Sequence, residues 1–289
     1  MKPPPLAIAL FLLPTLALFG LIYLVPIAVV VVTSFTAWNG FGDLAFVGLA
    51  NYRELVGDRQ FQIAIRNSLL WGLFAALVHV PFGVLIALYL HRRPLGWRFV
   101  RSVSLLPNLV PPPALALMYI FLFNPGIGLI NEVIRRLGFP DFTVYWFFEP
   151  ETAFVAVTSV WVLYAGVIVL LTMAELSRIP PELREAALID GATARQVEWH
   201  IYVPLLKNII AVGLIIAVTD VFKMFDYVYL TTNGGPDDQT MSLGLMIFNQ
   251  ATIRYEYGYS NAVGVVLLIM GLVTFYGLAR VFRMNEPAA

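Results

Sequence analysis

The longest apolar run in this chain, residues 6–32, carries no charged side chain over 27 positions, and five comparable runs follow at 68–90, 105–123, 152–174, 208–230 and 261–282. An α-helix rises ~1.5 Å per residue, so about 20 apolar residues cross the hydrocarbon core of a bilayer. The runs are continuous rather than alternating, which argues against the strands of a membrane barrel. The pattern predicts an all-α membrane protein with six transmembrane helices forming one domain over residues 1–289. Pro14, Gly20 and Pro26 mark expected bends in the first helix, and Pro107 with Pro111, Pro112 and Pro113 crowds the start of the third. The first run is far longer than the roughly 7–15 residues of a signal-peptide core and ends without a small-x-small cleavage pattern, so it is expected to stay as a helix.

Composition enters as a check on that expectation. Only 12% of the residues are charged, against roughly 25% in a soluble domain. So few charges cannot cover a water-facing surface of this size, and much of the exterior must face lipid. The formal net charge is zero and no Lys/Arg tract occurs, so no nucleic-acid partner is implied. Without cysteine there is no disulfide framework, thiolate metal site or cysteine nucleophile. His79, His91 and His200 have no second histidine or carboxylate at ligand spacing and read as structural, with no metal site. No Ser–His or His-rich constellation points to an intramembrane enzyme.

Lys and Arg in the connecting loops set the expected orientation. Arg92, Arg93, Arg98, Arg101, Arg178, Arg184, Arg195 and Lys207, with Lys2, Arg280 and Arg283, put eleven on one side. Arg53, Arg59, Arg66, Arg135, Arg136 and Arg254 put six on the other. Both termini are therefore expected in the cytoplasm. The loops 35–67, 124–151 and 231–260 then lie outside, where Tyr255, Tyr257 and Tyr259 are candidates for touching an external partner.

The segment 175–207 is long for a helix connection, where 2–8 residues are usual. Pro180-Pro181 suits a helix start with Glu182 and Glu185 in the early turns, and Gly191 suits a left-handed end. Thr193-Ala194-Arg195-Gln196 reads as a capping box opening a second helix, and Pro204 marks the turn into the fifth membrane helix. The expected product is a helix-turn-helix knob on the cytoplasmic face, with small Ala186 and Ala187 permitting close approach of another surface.

Glu185-Ala186-Ala187-Leu188-Ile189-Asp190-Gly191, followed by Ile201-Tyr202-Val203-Pro204-Leu205, resembles the EAA signature of binding-protein-dependent ABC transporter permeases. The resemblance extends over nearly the whole chain. Phe46-Val47-Gly48-Leu49-Ala50-Asn51-Tyr52, Leu105-Leu106-Pro107, Phe123-Asn124-Pro125-Gly126-Ile127-Gly128 with Asn131, and Phe225-Asp226 leading to Thr232-Asn233-Gly234-Gly235-Pro236 are similar to the carbohydrate permeases of the maltose, lactose and glycerol-phosphate type. They match the half that carries the Asn-Gly-Gly-Pro loop.

The resemblance implies the type I importer permease fold and a transport subunit rather than an enzyme, in a bacterial or archaeal inner membrane. It implies that Glu185, Ala186, Ala187, Asp190 and Gly191 couple to an ATPase. It also implies a second homologous permease, two ATPase subunits and an extracytoplasmic solute-binding protein as partners, besides membrane lipid. No cofactor is expected in the chain itself, since ATP would be bound by the partner subunits. In keeping with that, Lys2, Lys207 and Lys223 are the only lysines and none follows a glycine, so no P-loop is present.

Asp220, Lys223 and Asp226 stand out in the fifth run, because ionisable groups in a membrane normally face a bundle interior or a water-filled path. At spacings of three they are expected to share one helix face, as an ion-pair network, a path lining or both. The resemblance places solute-contacting positions on Ala217, Asp220, Val221 and Met224. A carboxylate accepts strong hydrogen bonds from hydroxyls, which favours Asp220. Trp161 and Tyr164 of the fourth run are candidates for the facing wall, since sugar C–H faces pack on aromatic rings. The rival expectation is an ion-coupled secondary transporter using the same three charges. It leaves the long cytoplasmic segment without a role.

Overall fold

The computed structural model describes residues 5–283, with side chains from 11 onward, so Lys2 of the orientation argument lies outside the described residues. Helix α1 runs Pro5–Phe19, passes through a π-turn at Gly20–Leu24 and continues as Val25–Thr33. A short antiparallel pair follows, β1 (Thr36–Ala37) and β2 (Ala45–Phe46). Then come α2 (Ala50–Gly57), α3 (Arg59–His91), α4 (Trp97–Leu109), α5 (Pro112–Leu122) and α6 (Leu129–Arg136). They are followed by α7 (Pro150–Ser159), α8 (Gly166–Leu176), α9 (Pro181–Ile189), α10 (Ala194–Leu205) and α11 (Lys207–Phe222). The chain closes with α12 (Asp226–Thr231), α13 (Leu243–Ile253) and α14 (Tyr257–Val281).

The six apolar runs are all helical, but only three form unbroken spans, within α1, α3 and α14. The run 105–123, expected as one helix, bends by 108° between α4 and α5. Pro107, Pro111, Pro112 and Pro113 fall at that break, where their rings and missing N–H groups forbid a continuous ladder. The fifth span is entered through a 67° bend between α10 and α11, one residue beyond Leu205. The run 152–174 divides into α7 and α8 around the non-helical stretch 160–165. The run 208–230 also divides: α11 ends at Phe222, Lys223 caps it with φ −93° and ψ 14°, and α12 starts at Asp226.

Three of the four π-turns share a cause. Those at Gly20–Leu24, Ala75–His79 and Glu198–Tyr202 each end two residues before a proline, respectively Pro26, Pro81 and Pro204. A helical proline clashes with the carbonyl four residues back, which lies inside each of these turns. Widening the turn by one residue moves that carbonyl aside without ending the helix.

The chain forms two compact units. The first comprises residues to 61 and 246–269. In it, every side chain of α1 from 11 to 32 is at least partly exposed, Phe11 by 84% and Leu21 by 65%. Such a helix is stable against lipid tails and would be an aggregation site in water. Asn51, buried, donates to the carbonyls of Ser34 (2.8 Å) and Thr36 (3.0 Å), and Ser34 Oγ meets Tyr52 Oη at 2.7 Å. The Asn-Tyr pair of the carbohydrate-permease motif thus closes the loop after α1.

The second unit comprises 62–245 with the chain from 270 on. Its core is the packing of α3 on α8. A Cβ on Gly83 would lie 2.7 Å from Ile168 Cβ, so the two backbones meet at a distance that only glycine allows. Trp71, fully buried, donates from Nε1 to Thr158 Oγ1 (2.8 Å) and stacks on Phe154. Asn131, also fully buried, accepts from Trp146 Nε1 (2.6 Å) and donates to the carbonyls of Pro125 and Val144. The Asn-Gly-Gly-Pro loop is fixed by Thr240 Oγ1 donating to Gly235 O (2.8 Å). Asn67 Nδ2, 2.9 Å from the carbonyls of Gln239 and Met241, secures the segment that follows.

Candidate functional site

The two breaks at 160–165 and 223–225 face a cavity of about 480 Å³ within the second unit. Non-helical backbone at membrane depth needs new hydrogen-bond partners. At the first break, His79 Nδ1 lies 3.0 Å from the carbonyl of Val162; a carbonyl only accepts, so Nδ1 carries a proton and donates. At the second, Ser242 Oγ donates to Met224 O at 2.7 Å. Gly244 presses against the carbonyls of Lys223 and Met224, where a Cβ would come within 2.9 Å of both. The interruptions are therefore built features, each with its freed carbonyl taken up by another helix.

Ala217, Asp220, Val221, Met224, Trp161 and Tyr164 all border this one cavity. Asp220 Oδ1 lies 3.0 Å from Lys223 Nζ, with the side chains 69% and 67% exposed. The expected single face does not extend to Asp226, because the helix stops between them, although Asp226 also borders the cavity. Nor is the pair buried, so removing one partner does not leave a buried charge within this chain.

Trp161 is 6% exposed and its Nε1 has no hydrogen-bond partner among the described residues. Tyr164 Oη meets Tyr119 Oη at 2.6 Å, which turns its ring into a fixed wall. His79, whose ring lies 5.9 Å from that of Trp161, borders the same space together with Asn108 and Tyr227. Sequence reasoning left these three out. The isolated position of His79 in an otherwise uncharged span was the only signal available. The cavity thus offers carboxylate acceptors and aromatic faces, groups that hold a polyhydroxyl solute, while the Trp161 Nε1 itself is buried.

In the segment 175–207, Pro181 takes the first helical position of α9 and Gly191 sits at φ +84°. The carbonyls left by α9 are met by Gly191 N on Leu188 O (3.1 Å) and Ala192 N on Ala187 O (2.9 Å). Thr193 and Gln196 form the capping box of α10, with Thr193 N donating to Gln196 Oε1 at 2.7 Å. Glu185, Ala186, Asp190 and Gly191 are exposed and Ala187 is half-buried. Ile189, 86% exposed, adds an apolar tip to the same knob.

Broken membrane helices around a cavity that several charged side chains border fit a membrane transport component. Residues 79–286 match the family described as binding-protein-dependent transport system inner membrane component. The chain belongs to that family. It is 32% identical to the probable ABC transporter permease protein YurN of Bacillus subtilis over 96% of both chains. It is 33% identical to the diacetylchitobiose uptake system permease protein NgcF of Streptomyces coelicolor, over 96% of this chain and 81% of that one. A chain of a crystallised bacterial ABC transporter involved in alginate import shares the fold, with a TM-score of 0.82 at 22% identity over 97% and 96% of the two chains.

Proposed function

We propose that this chain is one permease subunit of an ATP-driven importer for a sugar or sugar-like solute. The observation that carries this is the cavity at the two helix breaks, where the exposed carboxylates of Asp220 and Asp226 share the lining with the rings of Trp161 and Tyr164. Relatives named for diacetylchitobiose, multiple-sugar and trehalose/maltose transport favour the same solute class. Asp220, with Ala217, Val221 and Met224 beside it and Trp161 and Tyr164 opposite, forms this subunit's share of the path. A second, homologous permease supplies the other share.

The segment 175–207 docks on an ATPase through α9, with Glu185, Ala186, Ala187, Asp190 and Gly191 at the contact. Both termini are cytoplasmic, as the Lys/Arg distribution favours. Two ATPase subunits and an external solute-binding protein complete the assembly. Co-expression with the neighbouring genes and reconstitution in liposomes tests this, with a panel of labelled maltose, lactose and glycerol 3-phosphate. ATP-dependent uptake that requires the binding protein is expected. Uptake driven by an ion gradient without ATP would overturn it.

A further inference from the structure

The two helices of the 175–207 segment are held very differently. No side chain of α9 is buried. By contrast α10 buries Val197 and Tyr202, and its Glu198 forms an ion pair with Arg92, 106 positions earlier in the chain. Arg92 is the capping residue at the end of α3. Next to it, His91 meets the Tyr202 ring edge-on, with centroids 5.3 Å apart at 90°. Two adjacent residues at the tip of α3 thus grip two residues of α10 one turn apart. Glu198 and Tyr202 are the first and last residues of the π-turn that precedes Pro204. The Glu198 side chain is 12% exposed and that of Arg92 48%, so the carboxylate is sheltered while the guanidinium stays open to solvent.

From His91, α3 runs without interruption back to His79 at the cavity, 12 residues or about 18 Å at ~1.5 Å per residue. At Gly83 it is locked against α8. A free helix, an anchored helix and a rigid rod to the cavity therefore lie in series.

We propose that the Arg92–Glu198 and His91–Tyr202 contacts make α10 and α3 move as one body, carrying displacement of α9 by the ATPase to the cavity wall at His79. The proposal rests on the coupling role assigned above to 175–207. Arg92 and Glu198 are positioning residues in it, touching neither solute nor nucleotide.

The chain has no cysteine, so Leu85→Cys on α3 and Leu117→Cys on α5, both exposed side chains, are its only labelling sites, the partner subunits being made cysteine-free. Double electron–electron resonance then reads their separation in the assembled importer in nanodiscs, before and after trapping with ATP and vanadate. The separation is expected to shift on trapping in the parent. The shift should vanish in Arg92→Ala and in Glu198→Ala, and return in the exchanged pair Arg92→Glu with Glu198→Arg, with basal ATP hydrolysis unchanged. A parental shift in both single variants, or no shift in the parent, overturns the proposal. So does failure of the single variants to assemble, since the junction would then be a fold contact only. Glu185→Lys tests the underlying coupling role separately. Normal trapping in Glu185→Lys sinks that role, whereas defective Glu185→Lys beside a normal Arg92→Ala sinks only the junction.

Discussion

Lys223 Nζ lies 3.0 Å from Asp220 Oδ1 across the last turn of α11, and both side chains are about two-thirds exposed where they border the cavity. An exposed ion pair of this kind contributes roughly 0–1 kcal/mol to stability. Its place at a helix end beside a largely apolar cavity fits recognition better than scaffolding.

Asp220→Ala should therefore leave the yield of assembled complex unchanged while lowering uptake by about tenfold, the loss of one charge-assisted hydrogen bond worth ~1.5 kcal/mol. The double variant Asp220→Ala with Lys223→Ala should stay impaired. Uptake assays and complex yield across both variants check this, and full uptake in the double variant would show the carboxylate to be structural.

Gly191 occupies φ +84° with nothing within 4 Å of a Cβ built there, so a side chain costs only backbone conformation. That cost is about 1–2 kcal/mol for alanine and less for asparagine. ATPase co-purification should fall in the order Gly, Asn, Ala, Pro at this position. Equal co-purification in all four would remove Gly191 from the coupling turn.

The contact at Gly83 yields a prediction with an internal control. Gly83→Ala places a methyl 2.7 Å from Ile168 Cβ and 3.0 Å from Ala165 Cβ, forcing α3 from α8 at a cost of about 1–3 kcal/mol. Thermal unfolding of the detergent-solubilised complex should report it. Adding Ile168→Ala should relieve the clash only in part, because it removes Cγ2 at 2.8 Å but leaves the Cβ at 2.7 Å.

Asn131 makes three hydrogen bonds in a fully buried site, one of them from Trp146 Nε1. Asn131→Leu leaves that indole donor and the Val144 carbonyl without their partner, at about 1–3 kcal/mol for each group left unsatisfied, whereas the Pro125 carbonyl keeps Arg135 Nη1 at 3.3 Å. Loss of thermal stability with a change in tryptophan emission should follow. An unshifted unfolding curve would show that water replaces the amide.

What was legible in the sequence was what neighbouring residues decide among themselves. The Gly191 turn, the Thr193–Gln196 capping box and the helix start at Pro181 each involve residues within a few positions of one another. The apolar runs were legible because a bilayer imposes one length on every span. Some prolines marked where helices deform, yet not how, and Pro14, where a bend was expected, lies inside the regular helix Pro5–Phe19. Pro26, Pro81 and Pro204 are absorbed by π-turns, whereas Pro107 and Pro111–Pro113 accompany a 108° bend.

The sequence by itself determined the class of molecule, the number of apolar runs and the shape of the 175–207 knob, since hydrophobic length, backbone strain and capping are local quantities. Only the tertiary structure decided where helices break and what stands at the breaks. The carbonyl freed at Val162 is taken up by His79, 83 positions away, and that freed at Met224 by Ser242. Glu198 finds Arg92 at a separation of 106. A polar group leaving its own helix must be met from whichever helix packs beside it, and that neighbour is set by the packing of the whole unit, which no local pattern records.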